Sequence, residues 1–351
     1  MSYSQTYNFG TTTLVSNFVD EAFERCGISG AAIDGRQITA AIRSLNFLLS
    51  QMADKGFNLF TVQKTMMNIN VGQPSYQLPS YTLRVTECTA SNNDRILGGT
   101  PFSSAGGNAS NAFSGSSGTA CTQTVANGYI SYTYPIGNTP SIYYVGVQNN
   151  VSGNYNLVVE YSFDGNTWLN SITIGQQYYP IGQIIWSVIP SPINAKAIRI
   201  RETGGGTLNV QQIYFSVPNY SRILTPISRS EWTSYPNKQD QATPSSYYLD
   251  RQISPILTLW PTPDNSYETL VYNQTQQIMD VTSMNQNIAI PQMFMESVVA
   301  ELAARVAFKF AQDKYPVLQA LADKVYIAAE VEDVENVPLR IMPNLYYSGG
   351  A

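Results

Sequence analysis

The residue types that carry most enzymatic chemistry are scarce in this chain. It has no histidine among its 351 residues, so it lacks the commonest general base and a frequent metal ligand. Catalysis by serine–histidine or cysteine–histidine pairs is thereby excluded. The three cysteines, Cys26, Cys88 and Cys121, are far apart and include no Cys-x-x-Cys pair. They predict free thiols rather than a disulfide framework or a zinc site.

The carboxylates and a glycine run give no firmer catalytic signal. Gly204–Gly206 precedes neither a Gly-Lys-Ser/Thr sequence nor a predicted helix, so it indicates a hairpin turn and not a phosphate loop. The aspartates lack the spacing of the paired carboxylates that cleave glycosidic bonds. A pair that the fold brings together from distant positions stays an open alternative. We therefore expect that the protein is not an enzyme and that it binds no cofactor. The aspartates weighed are Asp54, Asp94, Asp164 and Asp240.

The composition favours a protein whose surface is largely covered by partners. Only 12% of the residues are charged, the formal net charge is −5, and there are 24 tyrosines. Abundant tyrosine is typical of β structure and of interfaces. No basic block occurs, so nucleic-acid binding through phosphates is not favoured. The first residues lack a signal-peptide pattern and no apolar run approaches a membrane span, so we expect no membrane partner.

The region 291–335 predicts two helices separated by a short break. Pro291 and Pro316 suit the first turns of these helices. Apolar residues recur three and four positions apart in both, which gives each helix an apolar stripe. Nothing on either helix resembles a catalytic group, and we expect the pair to pack helices in an oligomer. The residues predicted for this packing are Val298, Leu302, Val306, Leu321 and Val325.

Two further helices are predicted near the N-terminus, over 11–26 and from Asp34 to Gly56. Asp34 and Gln37 have the spacing of a capping box. Each helix carries an apolar stripe that needs a partner. The predicted fold class is therefore α+β, with a four-helix core built from both chain termini and a small antiparallel β region.

The middle of the chain predicts an inserted domain. Only eight charged residues lie between Thr89 and Tyr220, and 121–217 is a succession of short strand-like segments. We therefore predict an all-β jelly-roll or β-sandwich over 90–217, although 90–120 taken alone resembles a flexible linker or long loops. Pro261–Ser266 is predicted to be a hairpin connection. The predicted domains are a helical core with antiparallel β region (1–89 and 218–335), the insert (90–217) and an extended tail (336–351).

Several weak motifs in the right order resemble the head-to-tail adaptor proteins of short-tailed bacteriophages, which complete the head and stabilise packaged DNA. The similar segments lie within 11–89 and 218–335, outside the insert. They are AAIRSLNFLLSQMADKGFNLFTVQ, ISRSEWTSYPNKQDQATPSSYYLDRQ with ILTLWPTP, IPQMFMESVVAELAARVAF and AAEVEDVE.

This resemblance implies a structural virion protein, made in the host cytoplasm and located in the phage neck. It implies a homo-oligomeric ring of twelve subunits between the portal protein and the tail tube or nozzle protein. Such a ring extends the channel through which DNA passes without sequence-specific binding, and it presents a platform for tail fibre or decoration proteins. Region 291–335 has four basic and eight acidic residues, and a net-acidic channel wall would repel DNA phosphates.

Two features near the C-terminus have open interpretations. The acidic run from Glu330 to Glu335 is either a solvated face or a docking patch for basic residues on a partner or the next subunit. The tail is either a disordered terminus or, as the resemblance implies, a segment that docks into the portal by burying apolar side chains. Its apolar residues are Leu339, Ile341, Met342, Leu345, Tyr346 and Tyr347.

The second half of the insert resembles a discoidin-type, galactose-binding-like jelly roll. The likeness is carried by YSFDGNTW, at 161–168, and by AIRIR, at 197–201. Relatives bind sugars or other proteins, so Trp168 near Asp164 and Asn166 would be a place for a sugar ring to stack. The alternative is that Trp168 packs at the core or rim of the sandwich. A carbohydrate-binding tail adhesin is therefore the alternative function.

Overall fold

Both ends of the chain contribute to one structural unit, 1–62 with 275–351, and residues 63–274 form a second. The computed structural model describes residues 14–28, 32–55, 61–116, 118–135, 137 and 139–332. The first unit is helical and the second is built from mainly antiparallel sheets, so the predicted α+β class is confirmed.

The elements have the following bounds. The helices are α1 (Val15–Arg25), α2 (Gly35–Lys55), α3 (Arg229–Ser234), α4 (Met295–Phe310) and α5 (Tyr315–Glu332). The strands are β1 (Val62–Asn68), β2 (Ser75–Gln77), β3 (Thr82–Arg95), β4 (Thr100–Ser103), β5 (Cys121–Thr122), β6 (Tyr129–Thr133), β7 (Ser141–Asn149), β8 (Gly153–Ser162), β9 (Leu169–Tyr179), β10 (Ile184–Asn194), β11 (Ala197–Glu202), β12 (Asn209–Ile223), β13 (Thr225–Pro226), β14 (Ser246–Asp250), β15 (Ile256–Trp260) and β16 (Glu268–Gln276).

The helical unit is organised around α4, which contacts α1, α2 and α5. A single hydrophobic cluster takes side chains from all four of these helices, because each contributes an apolar stripe at helical spacing. The backbone N–H of Asp34 donates to Oε1 of Gln37 at 3.0 Å, which is one half of the predicted capping box. Fully or almost fully buried members of the cluster include Phe18, Phe23, Leu45, Leu49, Leu302, Val306 and Ala322.

The predicted β-sandwich is present in the second unit. A seven-stranded sheet has the order β1-β16-β3-β12-β7-β10, with β5 also paired to β12, and a five-stranded sheet has the order β4-β6-β11-β8-β9. Apolar residues of alternate positions on β7, β10 and β12 share one cluster with those of β6, β8 and β11, so these faces form the sandwich core. The cluster includes Ile130, Val145, Leu157, Val159, Ile198, Ile200, Ile213 and Phe215.

A smaller core lies beside the sandwich. A four-stranded sheet of order β13-β14-β15-β2 shares it with residues of β3 and β16, such as Val85, Cys88 and Leu270. The expectation of a hairpin at 261–266 is wrong. β15 already pairs with β14 and β2, so the chain crosses to the seven-stranded sheet, where β16 lies between β1 and β3.

The described residues of the segment 90–120 are held by hydrogen bonds that the sequence does not reveal. It contains the end of β3, all of β4 and a 3₁₀ turn over Ala109–Phe113. The buried amide of Gln212 donates to the carbonyl oxygens of Asn111 at 3.2 Å and Ser116 at 2.7 Å, and accepts from Gly115 N–H at 3.0 Å. The resemblance to a flexible linker was therefore misleading.

The strands β3 and β12 run without interruption through positions 90 and 217, where the insert was predicted to begin and end. They pair from Thr89–Ile223 to Arg95–Ser216 with one irregularity. The two structural units meet near residues 62 and 274 in the sequence, and the predicted insert boundaries stay a prediction. None of the described helices is long and apolar enough to cross a lipid bilayer.

Candidate assembly and ligand surfaces

Helix α5 has two apolar faces, and among the described residues only one of them packs in the helical core. Leu318 and Ala322 lie in the helical core. On the outer side, four aliphatic side chains remain 40–73% exposed: Val317, Leu321, Ile327 and Val331. We call these four residues the outer stripe. An exposed apolar stripe on a helix is typical of a surface that binds another protein, so the outer stripe is a candidate assembly surface.

A second exposed surface of the helical unit combines aromatic rings with cations. A cleft of about 450 Å³ is lined by Phe47, Phe308, Arg305 and Lys309 among others, and the two phenylalanines are 64% and 59% exposed. We call these four residues the basic aromatic patch. Burial lowers the pKa of Lys309, and the neighbouring Arg43 and Arg305 lower it further. The patch carries the cationic side chains Arg305 and Lys309 beside exposed apolar area, which suits an acidic, apolar partner surface.

The residues predicted to pack helices in an oligomer divide into two groups. Val298, Leu302 and Val306 are completely buried in the helical core, so they pack within the subunit. Leu321 is 40% exposed and Val325 is partly buried. Only the α5 residues of this set are available to a neighbouring chain, and their role there stays a prediction.

The predicted portal-docking residues lie outside the described residues, which end at position 332. They are Leu339, Ile341, Met342, Leu345, Tyr346 and Tyr347. The acidic run is described only at its beginning, where Glu330 is exposed on the last turns of α5.

The turn predicted to stack a sugar is engaged in its own hydrogen bonds. Oδ1 of Asp164 accepts from the backbone N–H groups of Asn166 and Thr167, both at 2.8 Å, and from the Ser162 hydroxyl at 2.8 Å. Oδ2 accepts from the Thr167 hydroxyl at 3.0 Å. These hydrogen bonds hold the pKa of the Asp164 carboxyl well below its usual range, and the bond from the Thr167 N–H contributes most. Both carboxylate oxygens of Asp164 therefore accept hydrogen bonds within their own turn. Asn166 remains exposed.

Trp168 lies in a cation–aromatic cluster that sequence reasoning missed. The guanidinium of Arg199 lies over two neighbouring rings, 4.2 Å from the Trp168 centroid and 4.4 Å from that of Tyr129. Glu160 joins Arg199 at 2.5 Å and Arg201 at 2.7 Å. Burial would raise the pKa of Glu160, but the hydrogen bonds from Arg201 and Arg199 outweigh it and lower the pKa. The strand register brings these residues together, since Arg199 pairs with Glu160 across β11 and β8.

The three cysteines are buried thiols. Burial raises the pKa of all three, to about 12 for Cys88. Since the thiolate is the reactive form, these positions do not favour nucleophilic chemistry.

Comparison with known proteins connects the C-terminal half of the chain to one family. Residues 170–334 match the SU10 adaptor protein family. The sequence resemblance to phage head-to-tail adaptors is confirmed over this range, which is just under half of the chain and includes α3, α4 and α5. The SU10 adaptor match also includes 170–217 of the predicted insert and does not extend to 11–89. No curated protein matches the chain.

Several solved structures resemble about a third of the chain. The F5/8 type C domain of a Bacteroides fragilis protein is 13% identical, with a TM-score of 0.32 over 37% of this chain and 99% of that domain. Chitosan-binding module 1 of a Paenibacillus chitosanase/glucanase is 18% identical, with a TM-score of 0.29 over 34% of this chain and 94% of the module. A Clostridium perfringens module in complex with GalNAc-beta-1,3-galactose is 13% identical, with a TM-score of 0.28 over 33% of this chain and 93% of the module.

Proposed function

We propose that the protein is a non-enzymatic virion component, a head-to-tail adaptor that forms a ring between portal and tail. The outer stripe of α5 is the observation that carries the proposal, because it is an apolar helix face left exposed in the part of the chain that matches an adaptor family. Apolar faces of this kind are covered in assemblies. The partners are further copies of the chain, the portal protein and a tail tube or nozzle protein.

The ring forms by a head-to-tail contact between helical units. In this arrangement the outer stripe and the acidic residues beginning at Glu330 face the basic aromatic patch of the next subunit. The opposite charges and the exposed apolar area on both surfaces support this pairing. Two different surfaces of one chain that join in this way close into a ring when the rotation between neighbours allows it, and a twelvefold ring is part of the proposal.

The remaining surfaces take the other adaptor roles. The helical unit acts as a four-helix core, supported by the single hydrophobic cluster that α1, α2, α4 and α5 share. Its net-acidic C-terminal pair lets DNA pass through the channel without sequence-specific binding. The sandwich presents a platform for tail fibre or decoration proteins, and the C-terminal tail docks into the portal.

The alternative function, a carbohydrate-binding adhesin, has weaker support at its predicted site. One face of the Trp168 ring already carries Arg199, and Asp164 is used by its own turn. A binding role at these residues stays a prediction.

The test is assembly of the full chain with the portal protein of its own phage, measured by native mass spectrometry and negative-stain imaging. A ring matching the symmetry of the portal supports the proposal, and a chain that stays monomeric with portal present overturns it. The double variant Val317→Lys, Val331→Lys places two cations against the basic aromatic patch, so it should abolish the ring while its circular dichroism stays native. The matched control is Ile253→Lys, at an aliphatic residue that is 93% exposed in the second unit, and it should leave the ring intact.

A further inference from the structure

The second unit contains a polar cleft that no part of the adaptor function uses. It has a volume of about 600 Å³ and lies where β3, β12 and the start of β16 meet. Two arginines, Arg95 and Arg222, line it together with Glu268. The rest of the lining is three asparagines, a threonine and two tyrosines. The volume is in the range of small-molecule sites.

One of the two arginines has no counter-ion among the described residues. Arg222 is paired with Glu268 at 3.3 Å and donates to the carbonyl oxygen of Pro244 at 2.6 Å. Arg95 takes part in none of the described ion pairs; its guanidinium carbon lies 4.1 Å from the ring centroid of Tyr214, and it donates to the Gln212 side chain at 2.6 Å. The cleft therefore has two fixed cations and one carboxylate, which leaves an excess of one positive charge.

Unpaired polar atoms concentrate at the same place. Among the described residues, Oδ1 of Asn93, Nε of Arg95 and Nε of Arg222 are buried without a hydrogen-bond partner. Asn93 is itself only 3% exposed, and its amide nitrogen donates to the Thr269 hydroxyl at 3.0 Å. Burial also lowers the pKa of Arg95, which means that desolvation of its charge is not fully offset. A partly buried cation is expected to have a counter-ion, and an anion in the cleft would offset the charge of Arg95.

We propose that this cleft binds a monosaccharide that carries a carboxylate, a sugar acid of the uronic type. The carboxylate pairs with the planar guanidinium of Arg95, which offers parallel N–H donors. The asparagine and threonine side chains suit the hydroxyl groups of a sugar, and Tyr267, 49% exposed at the edge of the cleft, offers a ring for stacking. Glu268 limits the net charge to one, which fits a monoanion better than a dianionic phosphate.

The experiment is calorimetric titration of the full chain with D-glucuronate and D-galacturonate, beside glucose, galactose, acetate and inorganic phosphate. Sugar acids should bind at least tenfold more tightly than any of the four comparison compounds, and the affinity should fall as salt is added. Arg95→Gln should weaken the binding at least tenfold, and Arg251→Gln, an exposed arginine outside the cleft, should not change it.

Tyr267→Ala provides a second variant at an exposed position, because Arg95→Gln also removes a contact to Gln212 and can disturb folding. It should weaken sugar-acid binding severalfold with an unchanged unfolding curve. Equal binding of acetate or phosphate would reduce the cleft to a simple anion site and overturn the proposal. No binding of either sugar acid, or binding that survives both cleft variants, would also overturn it.

Discussion

The side chains of Arg25 and Glu296 form a two-pronged ion pair, with Nη1–Oε1 at 2.8 Å and Nη2–Oε2 at 2.9 Å. It joins α1 to the first turn of α4 although the residues are 271 positions apart in the chain. Nε of the same guanidinium donates to Glu21 at 2.8 Å. Together with the apolar cluster that both helices share, the ion pair fixes the orientation of α1 on α4.

This ion pair should make the stability of the helical unit depend on pH. The hydrogen bond from Arg25 lowers the pKa of Glu296 in the folded chain. A lowered folded pKa adds stability that is present above the unfolded pKa and is lost as the pH falls through the folded pKa. Since Glu296 is 56% exposed, Glu296→Gln should cost at most about 1 kcal/mol at pH 7.

Urea unfolding at pH 7 and at pH 3 measures this effect. The difference between wild type and Glu296→Gln should become smaller as the pH falls from 7 to 3, because protonation of the carboxyl removes the ion pair with Arg25. Glu24→Gln serves as the control on α1, the helix that carries Arg25, since Glu24 is exposed and has no described ion pair. An equal loss in both variants at pH 7 would contradict the assignment.

The carboxylate of Glu160 should contribute more to the free energy of unfolding than exposed carboxylates do. Its side chain is 10% exposed and it compensates both Arg199 and Arg201. Removing the carboxylate leaves two cations without a partner, so Glu160→Gln should lower the free energy of unfolding by about 3 kcal/mol. Arg201→Gln should cost about 1 kcal/mol, because Arg199 still pairs with Glu160. Thermal unfolding followed by circular dichroism gives both values, and the reverse order would contradict this interpretation.

A substitution in the helical core and one in the outer stripe should have different effects on folding and on assembly. Leu302 is fully buried, so Leu302→Ala should destabilise the chain by about 3 kcal/mol. Leu321 is 40% exposed, and Leu321→Ala should cost less than about 1 kcal/mol while weakening ring formation. Urea unfolding and native mass spectrometry on the same preparations compare the two effects. A ring that tolerates Leu321→Ala but not Leu302→Ala at equal folded fraction would be evidence against the outer stripe.

Gln212 should control the order of the segment that precedes β5. Gln212→Ala leaves the donors and acceptors of the turn at 111–116 without their buried partner, at a cost of about 2 kcal/mol. Amide hydrogen exchange of this turn should become faster, while exchange on β8 and β11 changes little. Gln176→Ala, an exposed glutamine on β9, is the control. Unchanged exchange at 111–116 in the Gln212 variant would show that the turn is held by other contacts.

Local patterns were enough to predict the helices. The capping spacing of Asp34 and Gln37 and the apolar stripes depend on residues within a few turns, and the structure has helices at all four predicted places. The strands of the sandwich were likewise predicted from alternation and turn residues. These signals are local in sequence, so no knowledge of distant partners was needed.

The features that sequence reasoning missed depend on strand register and on partners far along the chain. Gln212 and the 111–116 turn are about a hundred positions apart, and only the fold brings them together. The same holds for Arg95 and Arg222, which face one cleft because β3 pairs with β12. A polar residue in a strand has the same local pattern whether it faces water, a loop or a cleft.

The continuity of β3 and β12 has a mechanical consequence. The strands leave the smaller core and reach the sandwich side by side, joined by hydrogen bonds along the way. A single-chain linker would allow the sandwich to swivel, whereas a two-stranded ribbon within a wider sheet resists both bending and torsion. A pulling force or a torque applied to the sandwich is therefore transmitted to the smaller core through two paired strands, which share the load.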